Sequence, residues 1–377
     1  MRVALVTAHY PPRLSGHADY CSLLAHALID EGLDVSVVVL GQDEVLDGDG
    51  LEVTNGCFPG SLGELGKVVD QIHELAPDVV LLQFEAHAFQ LAWAPHLLPM
   101  MLRRRGMRVV MTYHELWKPG RLGHLPKVAV LNAPHRVVTF SHWHADGVAR
   151  FRKLGPRADI VACGSNIVKP VTADRSLLRA RFDIEASTIL FTFFGFVMKE
   201  HKVVELIEAL AEVRSAGFDA RLQVIGKFDP KIDGYHQQLV RRSVELGLRE
   251  AVTWHGRVMD DTDVARLIQV SDVGVLPYDT GVGENNGAFA AFAHYGVPTV
   301  TTRGHRSATM EQMEVARFVE ATGDGLADAM LDLARDPETR ELLSKRVKEW
   351  ADRRSWKAAG TAYASILTGD EPTVEVL

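Results

Sequence analysis

Short apolar runs of strand length recur along the chain, each separated from the next by a segment of helical character. This alternation constrains the fold more than any other feature. The runs Val3–Thr7, Val35–Leu40, Val79–Gln83, Val109–Tyr113, Arg136–Phe140 and Ile160–Ala162 are nearly continuous in Val, Ile and Leu. Strands of that composition are buried on both faces, as in a parallel sheet. Helix-like segments such as Tyr20–Glu31 and Leu62–Leu75 lie between them. Strand–helix–strand repetition of this kind predicts a doubly wound α/β sheet. The pattern then restarts. Thr188–Phe196, Arg221–Ile225, Ala251–His255, Val273–Pro277 and Thr299–Thr302 read as strands, with Val203–Ala216, Tyr235–Leu246, Val264–Val270 and Gly287–Tyr295 as the intervening helices. The seam falls in the polar stretch "GSNIVKPVTADRSLLRARF", where Gly164, Lys169 and Pro170 precede a helix capped at Asp174. The expected division is therefore residues 1–169 and 170–355. The long charged helical region Pro337–Leu367, interrupted at "RRSW", is expected to return to the first domain as a C-terminal helix over about 356–377.

Bulk properties narrow the function. With 377 residues the chain is too long for one ordinary core and comfortable for two α/β domains. A net charge of −8 and a pI near 6.1 argue against nucleic acid as a partner. Cys21, Cys57 and Cys163 show no pair spacing, which points to a reducing compartment without a disulfide frame or zinc site. The opening "MRVALVTAHYPP" is too short for a signal segment and reads as a first buried strand. No stretch reaches the roughly 18–20 apolar residues of a membrane span. A cytoplasmic location is expected, with at most peripheral membrane contact. The stretch "MMLRRRGMR", Met100–Arg108, joins apolar and basic residues, and reads either as a membrane-facing patch or as an exposed helix end. Oligomeric state stays open.

Ligands of open α/β sheets bind at the carboxyl ends of the strands, so the loops after the strands carry the chemistry. After the first strand comes "AHYPPRLSGHADY", where Ser15 and Gly16 allow a close turn into a helix whose free N–H groups suit a phosphate or sugar. There is no GxGxxG, so a nicotinamide dehydrogenase loses its main support. The third strand runs out into "LLQFEAHAF", exposing Gln83, Glu85 and His87 as acceptor-side candidates, and the fourth into "VVMTYHELWKPG", placing His114 just past a buried strand. The second half opens with "FTFFGFVMKEHKVVELIEAL": Gly195, then Lys199, His201 and Lys202, then a helix. Cations and helix N–H groups converging on one spot suit a diphosphate. Gly226 and Lys227 follow the next strand, and Gly256 and Arg257 the one after, where exposed backbone can read a nucleobase edge. Asp260, Asp261 and Asp263 sit at a helix start and read as caps rather than metal ligands. No metal is expected. In "GVGENNGAFAAFAHYGVPTVTT", Glu284, Asn285, Asn286 and Gly287 stand at a loop–helix junction and offer polar groups to sugar hydroxyls.

Taken in order, these segments resemble the GT-B glycosyltransferases, specifically family 4-like retaining enzymes. The likeness runs from "PPRLSGHADY" through "VVTFSHWHADGV", "FFGFVMKEHKVVELIEAL", "LQVIGKFDP", "VTWHGRV", "VSDVGVLPY" and "GENNGAFAAFAHYGVPTVTT" to "RSWKAAGTAY". It implies two Rossmann-like domains facing a central cleft. The second would hold a nucleotide-diphosphate sugar, a co-substrate rather than a cofactor. The first would bind a small-molecule or glycan acceptor, with transfer to its hydroxyl free of any metal. It also implies that His114 lies near the donor sugar and Gly16 beside the phosphates. Catalytic roles are expected for His114, Lys202 and Glu284. Donor contacts are expected from Gly16, Gly195, Lys199, His201, Gly226, Lys227, Arg257, Asn285, Asn286 and Gly287.

The chain also departs from the family. Phe196 follows Gly195 where an arginine is usual, and the usual lysine register lands on His201, one place before Lys202. Of the family's paired glutamates, the first falls on Gly283 beside Glu284 and the second on Ala291, or on Phe292 after a one-residue shift. A hydrogen bond to a charged group is worth about 1.5–3 kcal/mol, so losing the ribose carboxylate weakens donor binding without abolishing it. Two alternatives stay open: a catalytically silent sugar-nucleotide-binding protein, and a GT-B-fold epimerase drawing on Glu284, Glu85 and Glu115. Donor base, sugar and acceptor are not legible.

Overall fold

The computed structural model of the chain describes residues 1–42, 44–45, 50–90, 92–114, 124–170, 174–256, 260–320 and 323–369. They form two compact units, Met1–Asn166 with Arg354–Leu377, and Ile167–Arg353.

The first unit is built on a parallel 7-stranded sheet. Its strands are β1 (Arg2–Thr7), β2 (Asp34–Leu40), β3 (Glu52–Gly56), β4 (Val79–Phe84), β5 (Val109–Tyr113), β6 (Arg136–Thr139) and β7 (Asp159–Ile160), in the order β3-β2-β1-β4-β5-β6-β7. The pleat sends alternate side chains to opposite faces. Val3 and Leu5 of β1 pack with Leu24 and Leu28 of α1 (Gly16–Asp30) and with Tyr363 and Ile366 of α14 (Trp356–Thr368). Ala4 and Val6 pack on the other side with Leu65, Val69 and Ile72 of α2 (Leu62–Glu74). Covering helices on both faces explain why the strands read as unbroken apolar runs. The apolar pattern does not reveal β3, for the converse reason. It is an edge strand paired only with β2, and "EVTNG" contributes a single buried side chain, Val53.

The second unit repeats the plan with a parallel 6-stranded sheet. β8 (Ile189–Phe194), β9 (Ala220–Ile225), β10 (Val252–Trp254), β11 (Val273–Leu276), β12 (Thr299–Thr302) and β13 (Arg317–Val319) lie in the order β10-β9-β8-β11-β12-β13. The helices that bear on the site are α7 (Val203–Ser215), α8 (Gly234–Glu245), α9 (Asp261–Gln269) and α10 (Gly287–His294). β13 is again an unforeseen edge strand. β8 stops at Phe194, short of the expected Phe196, because Gly195 turns the chain at φ 137°. Asp260 caps α9, accepting from the Thr262 N–H at 2.7 Å, and Asp263 pairs with Arg266 at 2.9 Å.

The helical region over Pro337–Leu367 is two helices, α13 (Pro337–Asp352) and α14, with the break at "RRSW". Ser355 has extended backbone and its hydroxyl accepts from the Ala358 N–H, capping α14, while Trp356 Nε1 donates to the Ser165 carbonyl at 2.7 Å. A buried hydroxyl chain joins Tyr20 of α1 to Tyr363 of α14 at 2.9 Å and Tyr363 to Thr112 of β5 at 2.8 Å. Arg108 closes the far end, donating to the Leu367 and Ile366 carbonyls, while Arg103 bonds the Ala133 carbonyl and Arg105 pairs with Asp70. These residues of the Met100–Arg108 stretch thus serve the fold itself. Among the described residues no helix is long and apolar enough to cross a membrane.

Gly360 sets how closely α14 approaches α1, since a Cβ there would lie 2.7 Å from the Ala27 carbonyl oxygen. Overpacking a tight core contact costs about 1–3 kcal/mol. Gly360→Ala is expected to lower Tm by several degrees in a thermal melt. An unchanged Tm would show that the helix pair yields without loss.

Candidate functional site

Each sheet has one point where the chain reverses its direction of winding. β1 lies between β2 and β4, and β8 lies between β9 and β11. The loops leaving the two strands at such a point diverge, and the crevice they leave is where open α/β sheets bind ligands. In the first unit those loops follow β1 and β4. In the second they follow β8 and β11.

At the first switch point, Ser15 caps α1 and its hydroxyl accepts from the Ala18 N–H at 3.1 Å. The helix therefore starts at Gly16, earlier than the expected Tyr20. Gly16 is its first residue, and a Cβ there would meet only Asn166 Nδ2 at 3.7 Å. His17 points inward with a side chain only 6% exposed. Its Nε2 lies 3.0 Å from the Thr7 hydroxyl, and Nδ1 lies 2.9 Å from Glu85 Oε2 of the loop after β4. With His17 protonated, this contact is an ion pair. Burial lowers the His17 pKa, but the neighbouring Cys21 and the Glu85 carboxylate outweigh it and push it up to about 10. Burial likewise opposes the charge on Glu85, and His17 overcomes it, holding the carboxyl below its usual range.

His114 follows β5, and its ring centroid lies 4.3 Å from that of His17. Burial, then the charges of His17 and His144, hold its pKa well below the ordinary value. It is therefore neutral, and Nε2–H donates to the Gln83 Oε1 acceptor at 2.8 Å. That bond fixes the tautomer and leaves Nδ1 as an acceptor. Gln83 itself is fully buried on β4, and its Nε2 has no hydrogen-bond partner among the described residues. The structure thus brings Glu85 and His114 against His17, with Gln83 behind His114 and fully buried on β4 rather than exposed as expected, while His87 is exposed. Glu115 lies outside the described residues.

The His17–Glu85 pair makes stability depend on pH. A histidine with a raised pKa contributes stability that is fully present below its ordinary value of 6.5 and is lost as pH rises through about 10. The lowered Glu85 contributes above its ordinary 4.5, and that contribution is lost as pH falls through its lowered pKa. Glu85→Gln keeps an acceptor beside Nδ1 and removes the charge. The alkaline loss of stability is then expected to begin at lower pH in a Tm series across that range. An unchanged profile would assign the proton's retention to Cys21 alone.

At the second switch point the loop after β8 is shaped by contact between backbones. A Cβ on Gly226, directly after β9, would run into the carbonyl oxygen of Gly195, and one on Gly195 would meet the Tyr278 hydroxyl at 3.2 Å. Lys199 to His201 form a single 3-10 turn, and Lys202 follows in the left-handed region at φ 48°. Lys199 is exposed. The Lys202 side chain is 19% exposed, and its Nζ lies 3.0 Å from Asp279 Oδ1 in the loop after β11. His201 stacks on Tyr278 at 4.1 Å. Lys202 provides no side-chain cap to α7. The Tyr235 hydroxyl of α8 is buried and has no hydrogen-bond partner among the described residues.

The loop after β11 is clamped to the loop after β12. The Thr302 hydroxyl donates to the Tyr278 carbonyl, the Arg306 N–H donates to the Thr280 carbonyl at 3.2 Å, and Gly304 leaves room for Thr280. Glu284 is 5% exposed within this clamp. Arg306 Nη2 bonds Asn285 Oδ1 at 2.9 Å, and burial lowers its pKa. Asn286 caps α10, its Oδ1 accepting from the Phe289 N–H at 2.8 Å, and the space around Gly287 is open. Ala291 and Phe292 are fully buried in the core of the unit, and the Phe292 ring lies where a Cβ on Gly274 would meet it at 2.7 Å. Lys227 is exposed beside Gly226. Arg257 lies outside the described residues.

Sequence reasoning did not single out His17, Tyr278, Asp279 or Arg306. Tyr278, Asp279 and Arg306 lie in loops that leave β11 or β12 at their carboxyl ends, and His17 lies in the first turn of the helix that follows β1, the positions that marked the other candidates. What was lacking was the strand order that sets these loops side by side.

Comparison with known proteins agrees with this architecture. Residues 14–169 match the description "Glycosyltransferase Family 4", and residues 188–336 match "Glycosyl transferases group 1". The chain is 27% identical over 239 residues to a D-inositol 3-phosphate glycosyltransferase of Saccharomonospora viridis, an alignment spanning 61% of this chain and about half, 54%, of that relative. Among solved structures, the sucrose-phosphate synthase of Thermosynechococcus elongatus superposes with a TM-score of 0.76 at 18% identity, covering 97% of this chain and 98% of that one. Anabaena HepE in complex with UDP-glucose gives 0.72 at 16% identity, covering 98% and 99%. At these identities the structures speak for the fold alone. With one family description on each parallel-sheet unit, the chain belongs to the GT-B glycosyltransferases.

Proposed function

We propose that the chain transfers a sugar from a nucleotide-diphosphate donor to an acceptor hydroxyl, with retention of anomeric configuration and without a divalent metal. The observation that carries this reading is the β8 switch point, where Gly195, Gly226 and the partly buried Lys202 form a tight, cationic turn. UDP-glucose bound to a structure of the same fold supports a nucleotide sugar as donor, and the likeness to family 4 supports retention.

Transfer builds negative charge on the leaving diphosphate and positive charge on the anomeric carbon. Stabilising the first is the larger electrostatic task. Lys202 faces the diphosphate in this reading. Neutral His114 turns Nδ1 to a donor-sugar hydroxyl, and Glu284 with Asn285 reads others. The acceptor hydroxyl attacks from the face the diphosphate leaves, and its proton passes to a diphosphate oxygen. Glu85 and the exposed His87 line the acceptor side, and the buried Gln83 orients His114 instead. The buried Ala291 and Phe292 leave the ribose to groups other than a carboxylate on α10.

The test is a thermal-shift screen with UDP-, GDP-, dTDP- and ADP-sugars, since a ligand that binds the folded state raises its stability. A shift with one of them is expected, and no response to any would overturn the reading. With that donor, release of nucleoside diphosphate in EDTA and the anomeric configuration of the product, read by NMR, test metal independence and retention. Binding without turnover would favour the silent alternative. His114→Ala is expected to lower kcat about 10–100-fold, since it removes one positioned hydrogen-bonding group, while leaving nucleoside diphosphate binding within about threefold.

A further inference from the structure

We propose that Asp279 is an internal counter-anion of the donor site. It competes with the donor's diphosphate for Lys202, and so sets how tightly nucleoside diphosphates are held and how readily they leave. The inference rests on Lys202 being the diphosphate-facing lysine.

The geometry is specific. Asp279 is the third residue past the end of β11, and Lys202 sits at the start of α7 after β8, so the 3.0 Å pair bridges the two loops of the switch point. The Asp279 N–H donates to the Glu200 carbonyl at 3.1 Å, which fixes the backbone beside the lysine. Its side chain is 51% exposed and has room to turn, whereas that of Lys202 is 19% exposed and emerges from a left-handed backbone. The pair is therefore asymmetric: the anion can move away and the cation is held.

A structural role explains the pair poorly. Ion pairs with one half-exposed partner contribute little to stability, because water screens the charge and ordering the side chain offsets the gain. A competitive role explains it well. A diphosphate brings several charged oxygens to a site where the carboxylate brings one group, so it displaces Asp279 from Lys202. A carboxylate that remains close by still repels every phosphate oxygen bound to the same ammonium. After transfer that repulsion favours exit of the nucleoside diphosphate, and Asp279 returns to Lys202 as it leaves.

The opposite expectation is equally concrete. If Asp279 served to hold Lys202 in position, removing its charge would weaken diphosphate binding. Calorimetric titration of the full chain with inorganic pyrophosphate, and with UDP, GDP, dTDP and ADP, separates the two. Asp279→Asn keeps the shape and removes the charge, and Asp279→Ser serves as a second variant. Tightening of about 5- to 20-fold is expected for pyrophosphate and for whichever nucleoside diphosphate binds, with the tightening smaller at high salt. Lys202→Ala is expected to weaken binding at least about tenfold. Adding Asp279→Asn to Lys202→Ala should then change affinity less than about twofold, because the competition has lost its object. Unchanged or weaker binding in Asp279→Asn, with Lys202→Ala weakened, overturns the counter-anion role alone. Equal tightening with and without Lys202 also overturns it, since the effect would then be a general field. Unchanged binding in Lys202→Ala overturns the donor-site reading itself.

Discussion

Lys202→Ala is expected to lower kcat by about 10²–10³-fold, the range seen when one preorganised group that stabilises transition-state charge is removed. The argument begins with the backbone. Lys202 occupies φ 48°, a region where a side chain is disfavoured and glycine is not. Strain of this kind persists where the surroundings or the function over-determine it. The side chain that carries the strain is the partly buried cation of the β8 switch point, whereas Lys199 three places earlier is exposed on a 3-10 turn. In the proposed reaction the diphosphate gains charge as the glycosidic bond breaks, so a lysine facing it acts more strongly in the transition state than in the ground state. The loss should therefore fall on kcat more than on the donor KM. Lys202→Gly separates function from fold. It should lose turnover as Lys202→Ala does, while its Tm is no lower than that of the parent because the left-handed residue is relaxed. A kcat within twofold of the parent in both variants would show that Lys202 does not face the diphosphate. A smaller kcat loss is expected from Lys199→Ala, and a reversed order would move the role to Lys199.

The fold was legible where burial on both faces made strands read as unbroken apolar runs, as in Val3–Thr7 or Val273–Pro277. It was illegible at the sheet edges. β3 and β13 carry polar, half-exposed residues such as Asn55 and Arg317 that resemble loop. The site was legible as loops that leave strands, because that rule needs only the position of each strand along the chain. Partnerships within it were not, since they depend on which strands are neighbours. Lys202 meets Asp279, His17 meets Glu85 and His201 stacks on Tyr278 only because β8 adjoins β11 and β1 adjoins β4. A doubly wound order is one arrangement among those that the same run of strands and helices allows. The departures from the family's glutamate pair gain a physical content that the letters alone lacked. Ala291 and Phe292 are core residues under β11, and the Phe292 ring occupies the space that Gly274 leaves. A carboxylate introduced there would be buried, a costly change unless a partner came with it.

Gly226→Ala is expected to abolish measurable donor binding and to destabilise the second unit by about 1–3 kcal/mol or more, the usual range for forcing atoms into a packed site. Gly226 directly follows β9, and the direction of its missing Cβ is blocked by the carbonyl oxygen of Gly195, backbone rather than a side chain that could swing aside. The added methyl must push Gly195 away. Gly195 in turn abuts the Tyr278 hydroxyl, whose ring stacks on His201 beside Lys202. One methyl group thus displaces the whole turn that presents the cation, without touching a charge. The expected signature is a lowered Tm together with loss of the nucleotide-sugar thermal shift. The useful contrast is Gly287→Ala at the start of α10, where a Cβ meets nothing within 4 Å. That variant should fold as the parent does, and any change in donor affinity would report on ligand approach alone. Should Gly226→Ala keep both the parental Tm and the thermal shift, the backbone contact between the β8 and β9 loops would not be what shapes the diphosphate turn.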